Sequence, residues 1–279
     1  MRRSPRCPKP PRRLGDSLSA SRRRIPGMNA VWSSRFAGLL LVLMPTPCAI
    51  AAPAVPGITV EQVLAGRPVP VDVYRPAGTP RGAVILSHGF TRSRSTLGGH
   101  AAAIAEAGAL ALTPDMPYTF DFRRNAQGLS ELVARLLAGG PFGAPVQRVV
   151  LVGFSAGGLS SLLAAATPGV VGYVGPDPFD RELRDTGGAL GRDFAPGLST
   201  QAILLRAPPS RCNAQAVAAP WGSLLPAIRV DRVIEGASHC DFESPTDWMC
   251  RLACGENQPQ RQDAVRAGLL EAVARWLPR

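Results

Sequence analysis

The stretch that most limits the fold is Val149-Val150-Leu151-Val152, which breaks at Gly153-Phe154-Ser155-Ala156-Gly157-Gly158 and resumes as Leu159-Ser160-Ser161-Leu162-Leu163-Ala164-Ala165-Ala166. Four β-branched or leucine residues in succession suit a strand buried on both faces, because alternate side chains point to opposite sides of a sheet. The small and apolar residues after Gly158 suit a packed helix. A strand that turns sharply into a helix at Gly-x-Ser-x-Gly lifts the serine onto a strained apex, and the residues two before and two after it must lack bulk. Gly153 and Gly157 meet that need. Ser155 is therefore the candidate nucleophile; the plain alternative, a Ser/Gly helix entry without chemistry, does not need this flanking strand and helix.

The formal charge of +11 raises the question of a nucleic-acid partner, and its distribution answers it. Residues 1–52 hold ten of the 31 basic residues and one of the 20 acids, Asp16, which leaves 21 basic and 19 acidic residues in the remainder. The basic character belongs to the leader, and no nucleic-acid partner is expected. That leader has arginines before Phe36–Met44, an apolar run too short to span a bilayer, and then Ala49-Ile50-Ala51, an A-x-A cleavage pattern. We expect export to the periplasm or beyond, cleavage near Ala51 or Ala52, and no stable membrane span afterwards. Residues 1–27, rich in Arg, Ser and Pro, read as disordered or as an overlong gene start. Residues 53–279 read as a single domain.

Beyond the leader four cysteines remain: Cys212, Cys240, Cys250 and Cys254. An even number in an exported chain suggests two disulfides, with Cys212–Cys240 and Cys250–Cys254 the preferred pairing. No second His or Cys pair completes a tetrahedral zinc set, so no metal is expected.

In chain order, Ile58–Val60 and Val69–Tyr74 suit edge strands, where Pro70 costs least. Gly82–Ser87 reads as a central strand, and Leu110–Thr113, Val170–Gly175, Gln201–Leu205 and Ile228–Ile234 read as further strands. Helices are expected at Leu97–Ala107, Ala126–Ala138 and Arg261–Leu277, the last with Val265, Leu269, Val273 and Trp276 facing inward. Strands alternating with helices imply a mostly parallel twisted sheet covered on both faces, with any site at the carboxyl ends of the strands.

A serine hydroxyl needs an imidazole to take its proton and a carboxylate to orient that imidazole. Of the three histidines, His239 follows the last strand and is the candidate base; His88 reads as a structural loop residue, and His100 as a surface or helix-start residue. From Phe194 through Val230 there is no Asp or Glu, so the acid cannot follow the strand at Leu204-Leu205. Asp177, after the strand that follows the serine turn, is the preferred acid, and Asp180 the alternative. The amides of Ala156 and Phe90 are the candidate oxyanion donors. Phe90, Phe154, Tyr118 and Trp221 are the candidate substrate-binding residues, with Phe120, Phe122 and Phe179 on loops that should also ring the serine.

His88-Gly89-Phe90-Thr91, Gly153–Gly158, Gly175-Pro176-Asp177-Pro178 and Ser238-His239-Cys240-Asp241-Phe242 together resemble the α/β-hydrolase superfamily. Within it they resemble the chlorophyllase, platelet-activating-factor acetylhydrolase and dienelactone-hydrolase-like group. The resemblance implies an α/β-hydrolase fold over residues 57–279 and cleavage of a small-molecule or lipid carboxylic ester through an acyl-enzyme. It implies no cofactor, and we expect a monomer. Ala156 stands where the plant chlorophyllases carry Arg, so chlorophyll does not carry over as substrate. An acyltransferase using the same three groups, or a binding protein on this fold, are the rival readings.

Overall fold

The computed structural model describes residues 57–182 and 188–277; the leader and its cleavage positions lie outside the described residues. Among the described residues eight strands form one sheet: β1 (Ile58–Leu64), β2 (Arg67–Tyr74), β3 (Ala83–Ser87), β4 (Leu110–Pro114), β5 (Val149–Gly153), β6 (Val170–Pro176), β7 (Ala202–Arg206) and β8 (Ile228–Val233). Their order across the sheet is β1-β2-β4-β3-β5-β6-β7-β8. β1 and β2 run antiparallel to their neighbours, and the other six strands are parallel.

The β1–β2 hairpin closes on Ala65-Gly66, both with positive φ (48° and 81°), as a two-residue turn between twisted strands requires. β1 is the edge; β2 lies one place further in than the sequence suggested. Pro70 is tolerated there because β2 pairs with β4 only over Val71–Tyr74, so its missing N–H falls outside that ladder.

Among the described residues seven α-helices complete the fold: α1 (Gly98–Glu106), α2 (Phe122–Ala138), α3 (Ala156–Ala164), α4 (Leu190–Phe194), α5 (Trp221–Leu224), α6 (Trp248–Cys254) and α7 (Pro259–Trp276). α2 starts four residues earlier than the sequence suggests because Asp121 caps it, accepting the Arg124 amide at 3.0 Å. Val84, Leu86, Val150 and Val152 pack with α1 and α7 on one face. Ala83, Ile85, Val149 and Leu151 pack with α2 on the other, where α3 also lies. β3 and β5 thus bury side chains in both directions, and each fully buried Val or Leu contributes about 1.5–3 kcal/mol. The four α7 residues expected to face inward are all buried. Among the described residues no helix is long and apolar enough to cross a membrane.

Candidate active site

β5 delivers Ser155 at the centre of the sheet. A Cβ at Gly157 would collide with the carbonyl oxygens of Ser87 and His88, and one at Gly153 with the backbone of Gly157 and Gly158. Only glycine permits so close a crossing of strand, turn and helix. Ser155 itself has φ 52° and ψ −121°, a conformation that non-glycine residues rarely hold, and its amide donates to Pro176 O at 3.2 Å.

β6 ends at Pro176 and places Asp177 beside the serine turn. Asp177 has φ 39°, and its amide donates to Leu205 O at 2.6 Å. Its Oδ1 accepts from the Ala207 amide at 2.9 Å and from Asn213 Nδ2 at 3.3 Å, leaving Oδ2 for the imidazole. His239 arrives from the far side, just beyond β8, at the start of a short turn of 3₁₀ helix. Its Nδ1 bonds Asp177 Oδ2 at 2.6 Å and its Nε2 faces Ser155 Oγ at 3.1 Å. All three side chains are buried, with Ser155 and His239 each retaining 8% exposure, enough for contact with a ligand.

The amides of Phe90 and Ala156 have no hydrogen-bond acceptor among the described residues, and both residues line a cavity that reaches Ser155. Unsatisfied N–H groups next to a serine hydroxyl can receive a developing oxyanion. That cavity, about 410 Å³, is walled by Phe90, Phe120, Phe122 and Phe179, with Arg181 and Arg211 completing it. The rings pair as Phe90–Phe120, 5.1 Å between centroids, and Phe122–Phe179, 6.5 Å. A second cavity, about 310 Å³, opens on the His239 side and is lined by Arg92, Glu243, Met249, Cys212, Cys250 and Cys254.

Asp180 has a different task. Its carboxylate accepts from the Arg181, Gly191 and Arg192 amides and from Trp221 Nε1, so it organises the loop leading to α4. This also corrects the reading of Trp221. The indole is fully buried among Leu190, Leu198 and Leu225, because Asp180 satisfies its N–H inside the core, and it lines neither cavity at Ser155. Phe154 is buried as well, its ring 4.6 Å from the His239 ring, so it backs the base while also lining the cavity on the His239 side. Tyr118 lines a smaller cavity beside His88; its hydroxyl donates to Ala65 O and Arg67 lies over its ring. Phe90 lines the cavities on both sides of the serine.

His88 holds its loop, accepting the Met116 amide at Nε2, with Nδ1 against Gly89 O; burial holds its pKa below the usual imidazole value. His100 lies at the start of α1 as one expectation had it, but it is buried and not on the surface.

The disulfides are Cys212–Cys254 and Cys240–Cys250, which overturns the preferred pairing. The cause is α6, which the sequence did not announce. Cys250 and Cys254 lie one turn apart on it, each turned to a different loop. The two bridges lie side by side, which brings the sulfurs of Cys240, Cys250 and Cys254 within 4.8 Å of one another.

Three residues important to the arrangement escaped sequence reasoning. Asn213 supports Asp177 while its Oδ1 takes the Ser210 and Ala216 amides. Arg92 forms a two-pronged ion pair with Glu243, whose burial pushes its carboxyl pKa up. Nothing in their local sequence marks them, since each partner is a loop residue distant in the chain or set by turn geometry.

No protein-family model matches the chain, and no curated protein matches it in sequence. Solved structures do. A dienelactone hydrolase from Anabaena variabilis is similar with TM-score 0.62 at 20% identity, over 80% of this chain and 98% of that one. Est1E from Butyrivibrio proteoclasticus is similar with TM-score 0.56 at 16% identity, over 79% of this chain and 100% of that one. At these identities the likeness is one of architecture, and it identifies the chain as an α/β-hydrolase fold of the kind found in dienelactone hydrolase.

Proposed function

We propose that the protein is an exported serine hydrolase that cleaves carboxylic esters through an acyl-enzyme. The observation that carries this reading is the unbroken hydrogen-bonded line from Asp177 through His239 to Ser155, at 2.6 and 3.1 Å. His239 Nε2 takes the serine proton as Ser155 Oγ attacks the ester carbonyl, and Asp177 holds Nδ1–H so that the correct tautomer faces the serine. The negative oxygen of the tetrahedral intermediate falls to the free amides of Phe90 and Ala156. His239 then gives its proton to the departing alcohol, and a water deprotonated by the same imidazole releases the acid. Two cystine bridges are in keeping with an oxidising compartment.

The two cavities receive roles from that chemistry. A leaving alcohol must be within reach of the imidazole, so it belongs on the His239 side. The acyl group then lies in the phenylalanine-walled cavity with Ser155 and Ala156, which favours apolar and aromatic acids. Simple carboxylic esters fit this description, and the structural neighbour named a dienelactone hydrolase makes a dienelactone a natural further assay choice.

Labelling with a fluorophosphonate, alongside p-nitrophenyl esters of graded acyl size, tests the reading. Wild type should gain one adduct on Ser155 and prefer butyrate or benzoate over acetate. Ser155→Ala should lose the adduct and about 10⁶-fold in kcat. A folded wild type that is not labelled at Ser155 would falsify the proposal.

A further inference from the structure

Three loops surround Ser155 with the parts the proposed reaction needs, and all three are fastened to α6. The loop after β3 carries the Phe90 amide and sends Arg92 across to Glu243, Nε to Oε1 at 2.6 Å and Nη2 to Oε2 at 2.9 Å. Arg92 Nη2 also meets Asp247 Oδ2 at 2.8 Å, and Asp247 caps α6 by accepting the Cys250 amide. The loop after β8 carries His239, and its next residue, Cys240, is bridged to Cys250 of α6. The loop after β7 holds Asp177 through Ala207 and Asn213, and its Cys212 is bridged to Cys254 at the end of α6.

Stability alone does not account for the Arg92–Glu243 pair. The Glu243 side chain is fully buried and that of Arg92 nearly so, and a buried ion pair commonly adds little over an apolar pair of the same volume. What the fork does supply is a fixed distance: Arg92 is two residues from Phe90, and Glu243 is four from His239. We propose that Arg92 is a positioning residue: through Glu243 and Asp247 it holds the Phe90 amide in register with His239, and α6 is the common anchor of both loops and of the Asp177 support. This rests on the serine-hydrolase reading. Because the oxyanion donor and the base act on the transition state, loosening their register lowers kcat far more than it changes KM.

The double variant Arg92→Met with Glu243→Gln removes the fork without burying a lone charge. It should stay folded by circular dichroism and lose about 10²-fold in kcat, far more than the change in KM that follows from the place of both residues on the leaving-group cavity. Arg92→Lys, which keeps the charge and loses the two-pronged geometry, should recover part of that loss. In a second arm, dithiothreitol opens the bridges under native conditions; each S–S becomes two S–H groups as the reagent's two thiols close to a cyclic disulfide. Activity and the rate of fluorophosphonate labelling should fall while the circular dichroism persists, and reoxidation should restore both. A folded double variant with wild-type kcat overturns the proposal, and so does undiminished kcat after verified reduction, or a loss that follows the unfolded fraction. A wild type that is never labelled overturns the serine-hydrolase reading and this inference with it, whereas a labelled wild type with an equally active double variant removes this inference alone.

Discussion

β5 and β8 deliver Ser155 and His239, neighbours in one hydrogen-bonded line, yet the strands could hardly differ more. Every residue of β5 is buried, with neighbours hydrogen-bonded on both sides and helices on both faces. β8 is the edge strand opposite β1, and its residues alternate between half-buried and exposed before ending in exposed ones. Ser155 is therefore placed by close packing, which admits few alternatives once the glycines of the turn are in position. His239 follows a strand with little core of its own, and its place depends on side-chain ties: Asp177, the Cys240–Cys250 bridge and the Arg92–Glu243 pair. A central strand fixes a residue through its whole environment, whereas an edge strand needs a few specific fasteners.

The sharpest way to separate chemistry from support is to compare the two buried aspartates that follow β6, Asp177 and Asp180. Asp177→Asn keeps the volume but presents an amide that cannot hold the imidazole in the tautomer the serine needs. We expect kcat to fall about 10⁴-fold with the fold intact. Asp180→Asn should do the reverse. Its carboxylate accepts four N–H groups, and an amide in that place turns a donor toward some of them, costing about 1–3 kcal/mol of stability. Its kcat should stay within a few-fold of wild type. Denaturant melts and initial rates on both variants check the contrast; equal losses of activity would erase it.

On the serine side the expected failure is of folding. Gly157→Ala puts a methyl group against the Ser87 and His88 carbonyl oxygens, backbone atoms that cannot swing aside. We expect about 3 kcal/mol or more of destabilisation, seen as a Tm lowered by many degrees or as insoluble protein. A well-folded Gly157→Ala with unchanged Tm would show that the turn has slack, and the contrast between the strands would lose its basis.

The same division explains what the sequence disclosed. Buried strands, the serine turn and the inward face of α7 come from local rules of alternation, periodicity and glycine placement, and each was legible. His239 and Asp177 followed from chain order and from the absence of acids between Phe194 and Val230. The cystine pairing, the Arg92–Glu243 fork, the role of Asn213 and the burial of Trp221 were not legible. Each is a contact between loops or with a loop, chosen by how the finished sheet brings them together, and side-chain spacing along the chain carries no record of that choice. α6 was hidden for a related reason: seven residues with exposed Trp248, Met249 and Leu252 have no inward apolar stripe, and the helix is held by its cap and bridges.

Acid provides a milder probe of the histidine side. His100 Nε2 meets the Phe242 carbonyl, three residues past His239, from its buried place on α1, and Nδ1 has no partner among the described residues. Burial is the main cause that lowers its pKa to about 4; the Phe242 carbonyl opposes the shift and Arg266 adds to it. The unfolded chain takes up a proton near the ordinary value of 6.5 that the folded chain refuses until about pH 4. Stability from this group is therefore flat above pH 6.5 and falls as pH drops through that window, by about 2 kcal/mol at pH 5 relative to pH 7. His88, lowered by burial too, acts in the same direction. Urea melts at pH 7, 6 and 5 should show this decline, and His100→Gln should flatten part of it while retaining a side chain able to donate to Phe242. If the variant's decline is as steep as that of wild type, His100 is not the group through which acid reaches the His239 loop.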